Sequence, residues 1–568
     1  MRINIISNQK AVEDVGHDVR ILHGILAHAL GEDIQVRHVP YFHPQCPEAD
    51  VNFFVEVVNP SLMMYAGRNV WIANPEWTRK TWEPYARMVD EIWVKTRHAE
   101  KLFQQWVAPE KIRYVGWSSI DKGMPGKKNY GKAIVSCGTN VWRNPTPILQ
   151  AYTRIKKTDA SLYNALPELH IVYEPSLIPI QPIPEEFAKK IKLHPNLPEK
   201  DYDELIQECG LCICTSAAEN FGHGVNEAMS AGCNLMLSPI DTFRELAHEV
   251  LWVSNSKVTP NPYCLGDLED VDIESLIDSL IVYTTSQFAW KTKRSQIVRS
   301  EYEARHAAFV ESLTEIVKHL STSVPEFSLE KTLPPESDLP KVSVITVTRD
   351  RRAFIPLAKY CMIAQSYPED KLEWVIVDDG KDQIKDLVSD IPYVKYILVD
   401  DPMTIGAKRN LAIEKASHDI LVMLDDDDVY PNNSILTRVA HLLAAPKKEC
   451  LFSTVIPCYE IHEKKSFMNV PPMVLGMADR VSEATLCFTR AFWEARKFPD
   501  QQIAEGGAFL RSREDMCREM SPQEILVSLC HKKTTSSRKP PAGMDQNGCH
   551  YGFADELFTL VSEIGESL

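Results

Sequence analysis

The sequence predicts an α/β protein built from parallel, doubly wound sheets, and three short apolar runs carry this prediction. Each run is rich in β-branched residues, as strands buried on both faces are, and each leads through a polar loop into a helix-like stretch. Alternating strands and helices predict parallel sheets, which bind ligands at the carboxyl ends of their strands. The runs are Arg2–Ser7, Lys132–Cys137 and Lys341–Val347.

A polar segment at 321–340 with four prolines divides the chain. Such a segment predicts a semi-stiff linker without helix or strand. A length of 568 residues predicts roughly three to five structural units. We therefore expect one sheet in residues 1–125, a second in 126–320 closed by helices, and a third in 341–568.

Composition narrows the class of protein and of ligand. Acidic residues exceed basic ones by 78 to 62, so the net charge of −16 disfavours nucleic acid as a partner. The 14 cysteines lack paired zinc-site spacing and suit a reducing compartment. We find no signal-peptide pattern and no apolar run of about 18 residues. These features predict a cytoplasmic protein without a membrane span, in the host cytoplasm if the chain is viral.

The second half contains an apolar strand that runs directly into four aspartates, Asp425 to Asp428. In an extended segment alternate side chains share a face, so Asp425 and Asp427 are expected to project together, as could Asp426 and Asp428. Adjacent carboxylates repel one another unless a cation lies between them, and oxygen ligands suit Mg²⁺ or Mn²⁺. The other interpretation is a solvated charge run at a strand end.

Two further segments supply polar groups at predicted strand and helix ends. The apolar run Leu372–Val377 stops at Asp378, Asp379 and a turn glycine. A later loop brings Lys408 and Arg409 to the start of a predicted helix. Cations beside a metal site are what a bound diphosphate requires.

Four segments in this order resemble the family 2 glycosyltransferases of GT-A fold, over roughly residues 341–540. They read KVSVITVTRDR, VIVDDG, GAKRNLAI and ILVMLDDDD. The resemblance implies that Asp425 and Asp427 bind Mn²⁺ or Mg²⁺ together with the donor diphosphate. Further donor contacts that it implies are Thr346, Arg349, Asp379 and, near the diphosphate, Arg409.

An inverting sugar transfer needs a carboxylate that takes the proton of the acceptor hydroxyl. Glu505, after an aromatic stretch, is the best candidate, and Asp515 is the reserve. The family usually has two adjacent acids here, whereas this chain has Glu505 followed by Gly506; a plain loop carboxylate is the alternative. His531 matches a late histidine that adds a metal ligand in many GT-A enzymes, or it is an ordinary surface or core residue.

The first half contains a pair of glutamates, Glu219 and Glu227, separated by seven residues. Gly222 and Gly224 lie between them, before a predicted helix. Glycines at this position let the backbone approach a phosphate, which the free amides of the helix start then bind. Glu227 would reach a ribose hydroxyl and Glu219 the sugar. The alternative is an ordinary loop and helix start with an acidic residue.

This spacing resembles the E-x7-E motif of family 4 glycosyltransferases of GT-B fold. The likeness is good over about 130–250 and weaker over 1–125. It implies two Rossmann-like domains and a transfer that needs no metal or other cofactor and retains anomeric configuration. It also implies a diphosphate contact from Arg143, where the usual lysine is absent. His17 is a candidate sugar contact or an ordinary helix-start residue.

Together these features predict a bifunctional glycosyltransferase (EC 2.4 class), with a GT-B half followed by a GT-A half. It would transfer hexosyl or pentosyl groups from UDP- or GDP-linked sugars to an oligosaccharide acceptor, as polysaccharide-building enzymes do. The rival interpretation is a nucleotide-sugar-binding scaffold with one inactive module. Because the two halves share no motif, we expect residues 1–325 and 338–568 to fold separately.

Overall fold

The computed structural model describes residues 1–8, 16–31, 34–43, 45–522, 524–532, 538–546, 551 and 553–567. Its architecture is α/β with parallel sheets, as the alternating pattern predicts. No helix within these residues combines the length and hydropathy needed to cross a membrane.

The first sheet contains six of the described strands, all paired in parallel. Its elements are β1 Arg2–Ser7, α1 His17–Leu30, β2 Gln35–Pro40, β3 Ala49–Val55, β4 Ala66–Ile72, α2 Glu83–Met88, β5 Glu91–Val94, α3 Arg97–Phe103 and β6 Ile112–Tyr114. The strand order is β2-β1-β3-β4-β5-β6. Every side chain of β3 is buried, as expected for a strand covered on both faces.

The second sheet contains another six described strands, also parallel. Its elements are β7 Asn129–Gly138, α4 Thr146–Thr158, α5 Ala160–Ala165, β8 Glu168–Tyr173, β9 Ile191–Pro195, α6 Glu199–Glu208, β10 Cys209–Cys214, α7 His223–Ser230, β11 Asn234–Leu237, α8 Asp241–Leu246 and β12 Val250–Trp252. The strand order is β12-β11-β10-β7-β8-β9.

A hairpin and two helices complete this half of the chain. They are β13 Asn255–Pro260, β14 Asp267–Val271, α9 Ile273–Thr285 and α10 Phe288–Ser323. Helix α10 returns to the first sheet, where Phe309 and Leu313 join an apolar cluster that includes Ile3 of β1 and Leu235 of β11. The two sheets therefore share one core.

The segment 321–340 differs from the expected linker, because it holds helical structure. Helix α10 continues to Ser323 and a short helix α11 forms at Leu329–Thr332. The segment is also attached to the first sheet: the Phe327 N–H donates to Asp50 Oδ1 at 3.0 Å, and the Arg2 guanidinium donates to the Phe327 carbonyl. The prolines thus end α10 but do not leave the segment without structure.

The remaining elements form a mixed sheet and a smaller one. They are β15 Val342–Thr348, α12 Ile355–Ile363, β16 Leu372–Asp378, α13 Lys385–Val388, β17 Val394–Leu398, α14 Ile405–Lys415, β18 Ile420–Met423, β19 Asp428–Val429, α15 Ser434–Leu443, β20 Cys450–Phe452, β21 Ile456–Glu460, β22 Lys465–Asn469, β23 Cys487–Thr489, α16 Arg490–Ala495, α17 Glu505–Leu510, β24 Cys517–Glu519, β25 Val527–Cys530 and α18 Asp555–Ser567. Among the described strands the orders are β17-β16-β15-β18-β23-β20-β24 and β19-β25-β21-β22. Strands β15 to β18 pair in parallel, and β23 is antiparallel to β18.

The two halves of the chain pack against each other through a continuous apolar core. Trp82 and Tyr85 of the first half lie in the same buried cluster as Phe488 of the third sheet. The Trp82 indole N–H donates to the Met473 carbonyl at 2.9 Å, and the Arg480 guanidinium donates to the Tyr85 hydroxyl. This shared core does not fit the expectation that residues 1–325 and 338–568 are separate folding units.

We expect residues 338–568, expressed alone, to aggregate or to melt at a lower temperature than the full chain. In the isolated fragment, the surface that packs against Trp82 and Tyr85 would be exposed to solvent. Each large apolar side chain that loses its burial lowers the free energy of unfolding by about 1.5–3 kcal/mol. Gel filtration and thermal unfolding of both proteins measure this. In the full chain, Trp82→Ala should destabilise by about 3–5 kcal/mol, whereas Phe288→Ala, at an exposed position, should not. A monomeric fragment with the midpoint of the full chain would contradict the prediction.

Candidate functional site

The four aspartates after β18 alternate in exposure, but Asp426 and Asp427 form a turn instead of the predicted extended segment. Asp426 and Asp428 are buried, while the side chains of Asp425 and Asp427 are 29% and 18% exposed. Arg438, fully buried on α15, donates to the Met423 carbonyl at 2.7 Å and so anchors the end of the strand. Asp425 and Asp427 are therefore the two partly exposed carboxylates of the run.

Asp427 lies between a cation and an imidazole. Its Oδ2 accepts from the Arg351 guanidinium and is 3.2 Å from His531 Nε2. Burial raises the pKa of Asp427, but His531 and Arg351 outweigh burial and hold it below the ordinary value. Burial and the charge of Asp427 raise the pKa of Asp426 to about 7. The structure thus brings together two of the predicted metal ligands, Asp427 and His531.

Arg409, on α14, joins two of the predicted site residues. Its Nη2 is 3.3 Å from Asp425 Oδ1, and its Nε is 3.2 Å from Glu505 Oε1. Glu505 is the first residue of α17 and is buried, which raises its pKa to about 7; Arg409 opposes the shift and Glu483 adds to it. A carboxyl group with this pKa titrates near neutral pH, as a general base does.

A close backbone approach places α14 beside the segment that leads to Glu505. The N–H of Gly406 donates to the Gln501 carbonyl at 3.0 Å. A Cβ at Gly406 would lie 1.9 Å from the Pro499 carbonyl oxygen, so only glycine fits here. Arg409, one turn further along α14, is consequently held against Glu505.

The other donor contacts expected in this half differ in their surroundings. Asp379, at the end of β16, accepts from Lys408 Nζ at 2.7 Å and from the Met403 N–H at 2.7 Å. Arg349 is exposed just after β15. Thr346 is buried, and its hydroxyl donates to the Leu424 carbonyl at 2.7 Å and accepts from the Trp374 indole at 2.8 Å. The structure therefore uses the Thr346 hydroxyl inside the core and does not bring it to the site.

Asp515, the reserve candidate for the base, also lies elsewhere. It is exposed, its carbonyl accepts from Lys448 Nζ at 2.6 Å, and its charge acts on Lys111 of the first half. The loop after α17 turns towards the contact between the halves. Asp515 therefore lies away from Glu505, although the two residues are close in sequence. Two residues of the site escaped the sequence analysis: Arg351, and Glu483, which accepts the Gly506 N–H at 3.1 Å.

The first half contains a second site, a cleft of about 900 Å³ between its two sheets. The carboxyl ends of β1, β3, β4 and β5 face those of β7, β8 and β10 across it, as parallel sheets place their ligand sites. The residues predicted for this half all line the cleft, namely Arg143, Glu219, Gly222 and Glu227.

The glutamates of the E-x7-E spacing hold different partners. Glu219 binds Arg143 with both oxygens, at 3.0 Å between Oε2 and Nη2. Glu227, inside α7, accepts from the Tyr202 hydroxyl at 3.0 Å and lies 3.2 Å from His17 Nδ1. Burial raises the pKa of Glu227, but its contacts with His17 lower it below the ordinary value.

Helix α7 begins at a glycine that no other residue could replace without strain. Gly222 has a φ of +82°, and a Cβ there would lie 2.7 Å from the Phe243 ring. The position also lets the helix start face the open cleft. Free amides at a helix start attract anions, which agrees with the predicted phosphate contact.

Ion pairs across the cleft connect its two walls. Asp18 on α1 lies 2.8 Å from His223 Nε2 on α7 and also contacts Lys95 after β5. Burial raises the pKa of Asp18, but Lys95 and His223 outweigh burial and hold it well below the ordinary value. The sequence analysis did not single out these residues, because Asp18 and His223 are 205 positions apart.

The family comparison concerns the half that carries the aspartates. The model described as Glycosyl transferase family 2 matches residues 343–497. This match confirms the prediction of a glycosyltransferase domain at the carboxyl-terminal end, and it includes Asp425 and Asp427. The resemblance of the first half to family 4 stays a prediction.

Solved structures that are similar to part of the chain include a mannosyltransferase. The mannosyltransferase PcManGT from Pyrobaculum calidifontis, in complex with GDP-Man and Mn²⁺, is 19% identical with a TM-score of 0.27, covering 34% of this chain and 58% of that one. S. aureus TarS 1-349 is 19% identical with a TM-score of 0.27, covering 33% and 60%. The chain thus spans about three fifths of these structures, and scores this low support no inference. None of the curated proteins matches the chain.

Proposed function

We propose that the chain is a bifunctional glycosyltransferase that moves two sugars from UDP- or GDP-linked donors to a growing oligosaccharide. The observation that carries the proposal is the group of Asp425, Asp427, Arg409 and Glu505 at one edge of the family 2 domain. The cleft between the first two sheets supports a second, separate transfer site. A single-site enzyme would leave that cleft and its glutamate pair unexplained.

The carboxyl-terminal site would hold Mn²⁺ or Mg²⁺ through Asp427 and His531, with Asp425 beside them. The Asp427 oxygen and the His531 nitrogen are 3.2 Å apart, a separation that one cation can bridge. Within the described residues no three His, Cys, Asp or Glu groups gather closely enough to hold a metal alone, so diphosphate oxygens and water would complete its ligands. When bound, the cation would supply charge that stabilises the leaving diphosphate.

The protein's own groups at this site have distinct proposed roles. Glu505 accepts the proton of the acceptor hydroxyl as that oxygen attacks the anomeric carbon and displaces the diphosphate in one step, and this single displacement inverts the configuration. Arg409, already paired with both Asp425 and Glu505, holds the carboxylates apart and contacts the diphosphate. Arg351 balances the charge of Asp427 before the donor arrives. Asp379 and Arg349 are the proposed contacts to the base and ribose.

The first half would be a GT-B module made of residues 1–125 and 126–320, acting without metal and with retention. Its support is the arrangement of two parallel sheets whose carboxyl ends face one cleft. Arg143 and the start of α7 would stabilise the leaving diphosphate, Glu227 would bind the ribose and Glu219 the sugar. These roles follow the family 4 resemblance.

One contact favours a second candidate function for this half. Glu219 engages Arg143 with both oxygens, which neutralises the cation that a leaving diphosphate needs. If the pair persists with donor bound, the half would bind nucleotide sugars without transferring them, and the protein would be a scaffold joined to one active module.

A chelator and one substitution separate these possibilities. We expect EDTA to abolish only the carboxyl-terminal transfer, and Glu227→Ala to lower only the other, by about 5- to 150-fold for a lost charged hydrogen bond worth roughly 1–3 kcal/mol. Release of UDP or GDP from a panel of nucleotide sugars, with and without Mn²⁺, measures both. Glu208→Ala, an exposed acid, is the matched control.

Three results would count against this proposal. Loss of every transfer with EDTA, or loss of the Mn²⁺-dependent transfer in Glu227→Ala, would indicate one composite site. A complete absence of metal-independent release, despite nucleotide binding, would favour the scaffold.

A further inference from the structure

The floor of the amino-terminal cleft is built by both sheets. The loop after β4 supplies Asn74, Glu76 and Trp77, and the loop before α7 supplies Asn220. The Asn220 amide donates to Asn74 Oδ1 at 2.6 Å and to the Ala73 carbonyl at 3.3 Å. This amide pair joins the two loops into one polar surface.

Two oxygens of this floor lack the hydrogen bond that buried polar atoms usually have. Glu76 is 6% exposed and Asn220 is 2% exposed, and both line the cleft. In the described part of the chain, neither Glu76 Oε2 nor Asn220 Oδ1 has a hydrogen-bond partner. An unsatisfied buried acceptor costs about 1–3 kcal/mol, so a ligand that donates O–H groups would stabilise both.

A third side chain, Glu56, is held in an unusual backbone conformation at the same place. Glu56 follows β3 with a φ of +66°, which non-glycine residues rarely adopt, and it accepts from the Asn74 amide at 2.8 Å. Burial raises the pKa of Glu56 to about 7 and that of Glu76 to about 8, and the charges of Asp18 and Glu219 add to these shifts. Near neutral pH both carboxyl groups therefore donate as well as accept, as sugar hydroxyls do.

The surroundings indicate which ligand fits these groups. The Trp77 ring is 37% exposed at the cleft and offers an apolar face. Asp18 and Glu219 lie close enough to act electrostatically on Glu56 and Glu76 respectively. Hydroxyl donors satisfy this floor, whereas a carboxylate on the sugar ring would face like charges there.

We propose that Glu76 and Asn220, together with Glu56, bind the hydroxyls of a neutral sugar ring and exclude sugars that carry a carboxylate. The inference rests on the proposed nucleotide-sugar site of this cleft and deepens it by naming the class of sugar. Glu56 lies outside the segments that suggested that site.

The test uses the full chain with Asp425→Ala and Asp427→Ala, which removes the carboxyl-terminal diphosphate site. Isothermal titration in EDTA compares UDP and GDP with UDP-glucose, UDP-N-acetylglucosamine, GDP-mannose and UDP-glucuronate. We expect at least one neutral sugar to bind more tightly than its bare nucleotide, and glucuronate not to. Adding Glu76→Ala should reduce this gain about tenfold and leave nucleotide affinity and melting temperature unchanged. Glu110→Ala, at an exposed acid of the same half, is the control.

Each other result overturns the inference. An unchanged gain in Glu76→Ala, or glucuronate binding as well as the neutral sugars, would mean that the floor does not select the sugar. Asn220→Ala repeats the measurement if Glu76→Ala lowers the melting temperature. Absence of any UDP or GDP binding would instead remove the proposed function of the cleft, and the sugar subsite with it.

Discussion

Replacing Asp427 by alanine is expected to lower the Mn²⁺-dependent transfer by about 10³-fold, equivalent to ~4 kcal/mol of transition-state stabilisation from a bound cation. Asp427 is the carboxylate nearest His531, and its partner Arg351 would then lack its main counter-charge. Mn²⁺ binding, followed by electron paramagnetic resonance, should fall in parallel with release of UDP or GDP.

Asp426→Asn is the matched control for this substitution. Asp426 is buried in the same run and accepts from the Thr348 hydroxyl at 2.5 Å, so its role lies inside the core. Its amide should preserve Mn²⁺ binding within about tenfold. Undiminished Mn²⁺ affinity in Asp427→Ala would refute the assignment of this carboxylate as a ligand.

Replacing Glu505 by glutamine is expected to lower turnover by about 10²–10⁴-fold, the usual contribution of a general base. The base acts in its deprotonated form, and burial raises the pKa of Glu505 to about 7. The wild-type kcat/KM should therefore rise between about pH 6 and pH 8 and then level off. In Glu505→Gln this rise should disappear while donor affinity is kept.

Glu494→Gln, on the neighbouring helix α16 and exposed, controls for a change of charge near the site. Its pH profile should follow that of the wild type. A Glu505→Gln variant with full activity, or with an unchanged rise, would assign the proton transfer to another group.

The sequence predicted those features that depend on local period and strand ends. The alternating exposure of Asp425 to Asp428 agrees with the expected pattern, although the chain turns at Asp426 and Asp427 instead of staying extended. The parallel sheets follow from alternating strands and helices, and so does the meeting of Arg143, Glu219 and Glu227 at one cleft.

Other features depend on distant pairs that local patterns do not encode. Asp18 meets His223 across 205 positions, and Tyr85 meets Arg480 across 395. Thr346 faces inward because Trp374 and the Leu424 carbonyl take its hydroxyl, which the strand pattern alone does not specify. The prolines of 321–340 predict no helix in this segment, yet α10 continues into it and ends at Ser323. The helix ends there because the residue that precedes Pro325 is sterically disfavoured from helical angles.

Arg480, which donates to the Tyr85 hydroxyl, lies three positions before Glu483 in the chain. The Glu483 carboxylate accepts the N–H of Gly506, the residue next to Glu505. In a genetic screen, alleles that alter Tyr85 would consequently fail to complement alleles of the carboxyl-terminal site, although the two map to different halves of the gene. A Tyr85→Ala chain co-expressed with an Asp427→Ala chain would leave the same linkage unmade. If the two proposed sites act separately, a Glu227→Ala chain would instead complement Asp427→Ala, because each would supply the transfer that the other lacks.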